Sequence, residues 1–191
     1  MDDKTCIVVV DMVNGFVKEG ALSDPGILKI VPAIKNILDK AVDNGSTIIN
    51  FQDSHEENSK EFEVFPKHCI KGTYESLLID ELIQYEDKMI TLKKNSTNGF
   101  MQPEFLNIFN NLDCKKYIIV GCCTDICVLQ FALSLKGYVN QNNLDIEVIV
   151  IEDAVDTFET DGHLRSECNA NSLNILKGAG IKILKEGELS L

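Results

Sequence analysis

Apolar residues in this chain come in short runs separated by stretches with a helical repeat. The runs at 5–10, 47–51, 89–92, 117–120, 146–151 and 181–184 are apolar through most of their length and bounded by turn residues, which predicts six strands. Between them, apolar positions recur at helical spacing over 27–42, 75–84, 103–111, 125–136 and 163–177. These predict helices, with stop signals at Gly45, Gly137 and Gly178. Strands apolar on both faces belong to a parallel sheet covered on both sides. The expected fold is therefore α/β, a three-layer α/β/α domain over residues 1–191 built on a six-stranded, mostly parallel sheet. The stretch from Asp53 to Tyr74 is too long for a simple connection, and such loops are usually functional.

Composition narrows the class. A length of 191 residues suffices to bury a substantial core, and 45% hydrophobic content with four prolines argues against disorder. The formal charge of −12 argues against nucleic acid or an anionic membrane surface as partner. No apolar run approaches the roughly 20 residues of a membrane span. Met1-Asp2-Asp3-Lys4 lacks a signal-peptide pattern. The seven cysteines are odd in number and scattered without disulfide-framework spacing, so a reducing cytoplasm is expected. The expected partners are a small molecule and further copies of the same chain.

Open parallel sheets bind ligands beyond the carboxyl ends of their strands, and the candidate residues collect at that edge. Asp11 ends the first strand, Asp53 and His55 follow the second, Lys94 the third and Cys127 the fourth. Each alone has an ordinary structural explanation, as a turn residue, a solvated lysine or a buried thiol; their joint placement on one rim is the signal. Val10-Asp11-Met12-Val13-Asn14-Gly15 carries neither a dinucleotide fingerprint nor a phosphate-cradling loop, which disfavours hydride and phosphoryl transfer. In Ile118-Ile119-Val120-Gly121-Cys122-Cys123-Thr124-Asp125-Ile126-Cys127-Val128 a strand runs into a turn, and Cys127 follows in the first turn of a helix. The helix dipole and unpaired N–H groups there favour thiolate and can stabilise an oxyanion. A carboxylate such as Asp11 can serve as base if burial raises its pKa, and an ammonium such as Lys94 balances the charge. Together they point to amide hydrolysis through a thioester.

Asp53-Ser54-His55, then Glu61, then His68 form a second cluster of carboxylate and imidazole ligands suited to Zn²⁺, Fe²⁺ or Mn²⁺. In extended chain Asp53 and His55 project to one side. The loop also holds Glu56, Glu57 and Glu63, so an acidic solvated face stays open, as does Glu63 in place of Glu61. His163, at a helix start, is expected to be structural.

Asp11, Lys94 and Gly121-Cys122-Cys123-Thr124-Asp125-Ile126-Cys127-Val128 resemble, in order and spacing, the three signatures of the isochorismatase-like cysteine hydrolases. The resemblance covers nearly the whole chain. It implies Asp11 as general base then acid, Lys94 as charged partner and Cys127 as nucleophile. It also implies an oxyanion hole from the N–H groups of Cys123 and Cys127, and a cis bond between Cys122 and Cys123. Lys94 is preferred to Lys93 by its spacing to Phe100. Asp53-Ser54-His55-Glu56-Glu57-Asn58 and Phe65-Pro66-Lys67-His68-Cys69-Ile70-Lys71-Gly72-Thr73 are similar to the metal loop of the nicotinamidase branch. That branch implies one divalent metal, zinc first, held by Asp53, His55, Glu61 and His68 and binding the pyridine nitrogen of nicotinamide. Phe16, Leu22, Cys122 and Cys123 would contact the substrate. The expected function is release of nicotinic acid and ammonia from nicotinamide in NAD salvage. Alternatives are a related amidase acting on a ureido or biuret-type substrate, and a non-catalytic binding module.

Overall fold

In β1 (Thr5–Val10) all six side chains are buried, and the neighbouring strands share the pattern. The computed structural model describes residues 4–191, so most of the Met1-Asp2-Asp3-Lys4 segment lies outside the described residues. β1 pairs with β2 (Thr47–Asp53) on one side and β4 (Lys116–Cys122) on the other. With β3 (Ile90–Lys94), β5 (Glu147–Asp156) and β6 (Lys182–Leu184) they form a sheet of order β3-β2-β1-β4-β5-β6, parallel throughout.

Alternation along each strand divides the core in two. Ile7, Val9, Ile118 and Val120 pack with residues of the short helix α1 (Asn14–Val17) and of α2 (Val31–Asn44). Cys6, Val8, Val10, Tyr117 and Ile119 pack with α3 (Phe105–Asn111), α4 (Leu129–Gln141) and α5 (Arg165–Gly178) on the other face. The three-layer expectation holds, and the sheet is wholly rather than mostly parallel. Among the described residues no helix is long and apolar enough to cross a membrane.

Several helical expectations change. The 27–42 pattern divides into a 3-10 segment (Pro25–Ile30) and α2, with a proline in the first turn of each, and Gly45 caps α2 at φ 72°. The 75–84 pattern is not an α-helix. Leu77 and Leu78 run extended because their backbone serves the exit of β1: Asn14 N–H donates to Leu77 O and Ile79 N–H to Met12 O, both at 3.0 Å. A 3-10 segment (Asp80–Lys88) follows. Gly137 does not stop α4, which continues to Gln141.

Strand order reverses between β1 and β4, the place where a parallel sheet opens a crevice at its carboxyl edge. There Val10 stands opposite Gly121. Gly121 has φ 114°, and a Cβ on it would lie 2.1 Å from Val10 O. Only glycine permits this approach. Asp11, next on β1, takes φ 50°, uncommon for a non-glycine residue, with its N–H bonded to Phe51 O at 3.0 Å. Gly121→Ala combines overlap with strain and should lower stability by about 3 kcal/mol or more. Urea midpoints of the two proteins measure it; a shift under a third of that would show that the strands can separate at no great cost.

Candidate active site

The parallel register delivers the charged residues to one point. Asp53 and Lys94 end neighbouring strands directly opposite each other, and Ser54 N–H donates to Lys94 O at 2.8 Å. Strand alternation turns Lys94 inward and leaves Lys93 exposed. Lys94 Nζ lies 2.8 Å from Asp11 Oδ2 and 2.7 Å from Asp53 Oδ1, and it donates to Cys127 Sγ at 3.9 Å. All four side chains are buried. The sequence placed Asp53 on the same rim as Lys94 but gave it a role only with the imidazoles; its pairing with Lys94 depends on the strand register.

Cys127 sits in a π-helical turn (Thr124–Val128) ahead of α4, rather than in the α-helix expected from residue 125. Cys123 O accepts from both Ile126 N–H and Val128 N–H at 3.1 Å, which widens the turn. The bond between Cys122 and Cys123 is cis, as the resemblance implies. Burial pushes the Cys127 thiol well above its ordinary pKa, with the Lys94 ammonium opposing. The expectation of a dipole-stabilised thiolate thus gives way to desolvation, and the resting group is a thiol. Burial also raises Asp11, and the Lys94 charge pulls back. The negative charge of Asp53 adds to the rise, hydrogen bonds from Lys94 and Cys127 lower it, and Asp11 ends at about 6. Burial works against the charge on Lys94, yet the two carboxylates outweigh it and hold the ammonium well above the usual range. Asp53, though buried, is held well below the usual carboxylate range by Lys94 and by hydrogen bonds from His55 and His68. At neutral pH the site therefore contains an ammonium, two carboxylates and a thiol.

The second oxygen of Asp53 faces the imidazoles: Oδ2 is 2.9 Å from His55 Nε2 and 3.2 Å from His68 Nε2. His68 Nδ1–H donates to Pro66 O at 2.8 Å, which leaves Nε2 as a lone pair in the neutral ring. His55 Nδ1 faces Asn95 Oδ1 at 3.1 Å, an oxygen that also receives the Glu56 amide, and Ser59 Oγ at 3.2 Å. Glu61 Oε2 lies 3.4 Å from His55 Nε2 and is buried without a hydrogen-bond partner, while Oε1 accepts from Thr97 N–H at 3.1 Å. Lone pairs converging on carboxylate oxygens call for a positive centre, a proton or a metal ion. Ligand atoms of Asp53, His55 and His68 fall within 4.8 Å of one another. Glu63 is exposed and paired with Lys60, so Glu61 is the carboxylate turned to this cluster.

Both clusters meet a cavity of about 490 Å³. Phe16, Leu22 and Cys123 line it, as do Asp53, Glu61, His68 and Cys127. Asp11, Lys94 and His55 stand just behind this lining. Cys122 does not reach the cavity; its Sγ–H donates to Asp11 O at 3.1 Å, so the expected substrate contact is instead a brace on the strained Asp11 backbone. Phe100 packs on Phe105 and Tyr138, leaving Phe16, Phe65 and Phe158 as the aromatic walls. Phe158, Glu159, Thr160 and Arg165 also line the cavity, and no local motif announced them. His163 does have a partner in the Cys127 turn, since its Nε2 lies 2.7 Å from Asp125 Oδ2.

The chain matches the isochorismatase domain over residues 5–173. It is 30% identical over 184 residues to nicotinamidase 1 of Arabidopsis thaliana, covering 87% of this chain and 75% of that protein. N-carbamoylsarcosine amidase from Thermoplasma acidophilum superimposes with a TM-score of 0.82 at 25% identity, covering 98% of this chain and 99% of that one. A pyrazinamidase of Pyrococcus horikoshii in complex with zinc superimposes with a TM-score of 0.80 at 25% identity, covering 95% and 99%.

Removing the central ammonium leaves two buried carboxylates facing each other. Lys94→Met should lower stability by about 3–5 kcal/mol near neutral pH, the range for a broken buried ion pair. Uncompensated carboxylates bind protons more tightly, so the deficit should shrink as pH falls. Denaturant midpoints of both proteins at about pH 8 and about pH 5 measure it; a deficit that grows on acidification would refute this electrostatic account.

Proposed function

The chain belongs to the isochorismatase family, and we propose that within it the protein is a metal-dependent nicotinamidase, an amidohydrolase releasing nicotinic acid and ammonia through a cysteine thioester. The observation that carries this reading is the divided Asp53 carboxylate. One oxygen holds Lys94 beside Cys127, and the other faces Nε2 of both His55 and His68 at the same cavity. A ureido-type amidase needs the Asp11, Lys94 and Cys127 group but gives no reason for buried His55, His68 and Glu61 to converge on Asp53.

Asp53, His55, His68 and Glu61 have the donor set for a divalent metal, zinc first, since imidazole nitrogens and carboxylate oxygens suit it. Bound there, the ion supplies a Lewis-acidic position that can take a ring nitrogen and so orient the substrate. The Asp11 carboxylate takes the proton of Cys127, and sulfur attacks the carboxamide carbon. The N–H groups of Cys123 and Cys127 receive the resulting oxyanion. Asp11 returns the proton to the leaving nitrogen, ammonia departs and a thioester remains. Asp11 then takes a proton from water, whose oxygen attacks the thioester. Collapse frees the acid, and the proton on Asp11 goes back to sulfur. Lys94 holds the Asp11 carboxylate throughout. Phe16 and Phe65 offer flat apolar walls for an aromatic ring, and Leu22 closes the side.

A base with a pKa of about 6 must be ionised to act. kcat/KM should fall as pH drops through about 6, and this apparent value belongs to the coupled group of Asp11, Lys94 and Cys127. Asp11→Asn keeps the shape without the base and should lower turnover by about 10²–10⁴. Stopped assays of ammonia release across pH measure both. Near-normal turnover in Asp11→Asn would remove Asp11 as the base.

Substrate choice tests the remainder. Benzamide carries the same carboxamide without the ring nitrogen and should be a very poor substrate beside nicotinamide. A chelator should impose the same defect on nicotinamide, with divalent metal restoring activity. Glu61→Ala should weaken metal retention more than Glu63→Ala. Equal rates on the two amides, or full activity after stripping, would transfer the assignment to the ureido-type amidases.

A further inference from the structure

On the far side of the Cys127 turn a second group of ligating side chains converges, separate from the Asp53 cluster. Asp125 belongs to the π-helical turn itself, His163 precedes α5, and Cys168 lies in the first turn of α5. One ligand atom from each falls within 4.8 Å of the other two. All three side chains are only partly buried, so an ion could reach them from solvent.

The hydrogen bonding leaves this group short of positive charge. His163 Nδ1 is 3.0 Å from Phe158 O, a carbonyl that can only accept, so Nδ1 carries the proton. The ring is pinned by a stack on Phe158 at 3.8 Å and 7°. In the neutral ring Nε2 is then a lone pair, and it points at Asp125 Oδ2, 2.7 Å away. The other oxygen, Asp125 Oδ1, is buried with no hydrogen-bond partner. A Phe158 carbonyl behind the imidazole is the kind of outer support that orients metal-ligating histidines.

We propose that Asp125, His163 and Cys168 form a second metal site for a thiophilic divalent cation of the zinc class, with a fourth position left to water. One imidazole, one carboxylate and one thiolate form a zinc-type donor set, and the thiol proton is released to solvent on binding. Such an ion would tie the turn that carries Cys127 to the start of α5 and to the Phe158 wall of the cavity. The proposal does not depend on the substrate assigned above.

Cobalt(II) gives a readout for this site alone, because a thiolate ligand produces an intense charge-transfer absorption in the near ultraviolet and the Asp53 cluster contains no thiolate. Titration of the metal-free full chain with cobalt chloride should show two equivalents bound, with the charge-transfer band present. Cys168→Ser should bind one equivalent and lose the band. His163→Ala should weaken the second equivalent, and His68→Ala should weaken the other while the band persists. Cys127→Ala should keep the band, which separates Cys168 from the nucleophile. A band lost in Cys127→Ala and kept in Cys168→Ser would overturn the proposal. So would a single equivalent that Cys168→Ser leaves unchanged, the result expected if Asp125 and His163 are only an imidazolium–carboxylate pair. Neither outcome bears on ammonia release from nicotinamide.

Discussion

A lysine ammonium with almost no access to water, held between two carboxylates, is the interaction on which this site depends. Ions out of water are costly, by several kcal/mol each even after relaxation, and no member of the trio could stay ionised there alone. Lys94 lies within 2.8 Å of both Asp11 and Asp53, so each charge is stabilised where solvent cannot do it. The contacts follow from strand geometry, because Asp53 and Lys94 are register partners at the carboxyl ends of β2 and β3. Asp11 reaches them only through its left-handed turn at the end of β1. A glycine at 121 lets β1 and β4 approach where strand order reverses, and so brings the Cys127 turn to the same place.

One ammonium and two carboxylates leave a negative charge in excess, and this sets the chemistry available. A thiolate would add a second charge, so burial keeps the proton on Cys127 despite the ammonium nearby. Asp11 feels the same desolvation and the charge of Asp53, which brings it to about 6, near the operating range of a useful base. Moving a proton from sulfur to Asp11 conserves the charge of the buried group. Such a transfer costs less than separating charge would in this environment. The excess also fits the way Asp53 turns its second oxygen toward the imidazoles, where a cation would offset it.

The Cys127 turn is gripped from two sides. Lys94 approaches it from the sheet, and His163 faces Asp125 from the α5 side. The cavity wall near α5 is tied down in turn by Arg165, whose guanidinium pairs with Asp24 and Asp156 and donates to Thr157 O at 2.8 Å. With its charge committed, Arg165 shapes the wall rather than offering a free cation to a substrate. Relatives with the same fold carry names for different amides, so the discrimination has to come from such walls and from the Asp53 cluster, not from the shared sheet.

Hydrophobic runs and turn residues were enough to specify six strands, their mostly parallel pairing and the rim where Asp11, Asp53, Lys94 and Cys127 collect, because the central strands, buried on both faces, have few polar positions to spare. The choice of Lys94 over Lys93 rested on the family's spacing to Phe100, and the alternation of β3 is what turns Lys94 inward. The helical pattern at 75–84 misled because the backbone of Leu77 and Ile79 is bonded to the exit of β1, a demand no local window contains. Other features came only with the tertiary structure. They include the double role of Asp53, the thiol state of Cys127, Cys122 as a brace and the Phe158 and Arg165 wall. The physical reason is common to them: hydrophobic period acts over a few neighbours along the chain. Desolvation and charge pairing instead depend on which residues, more than thirty positions apart, share one small volume without water.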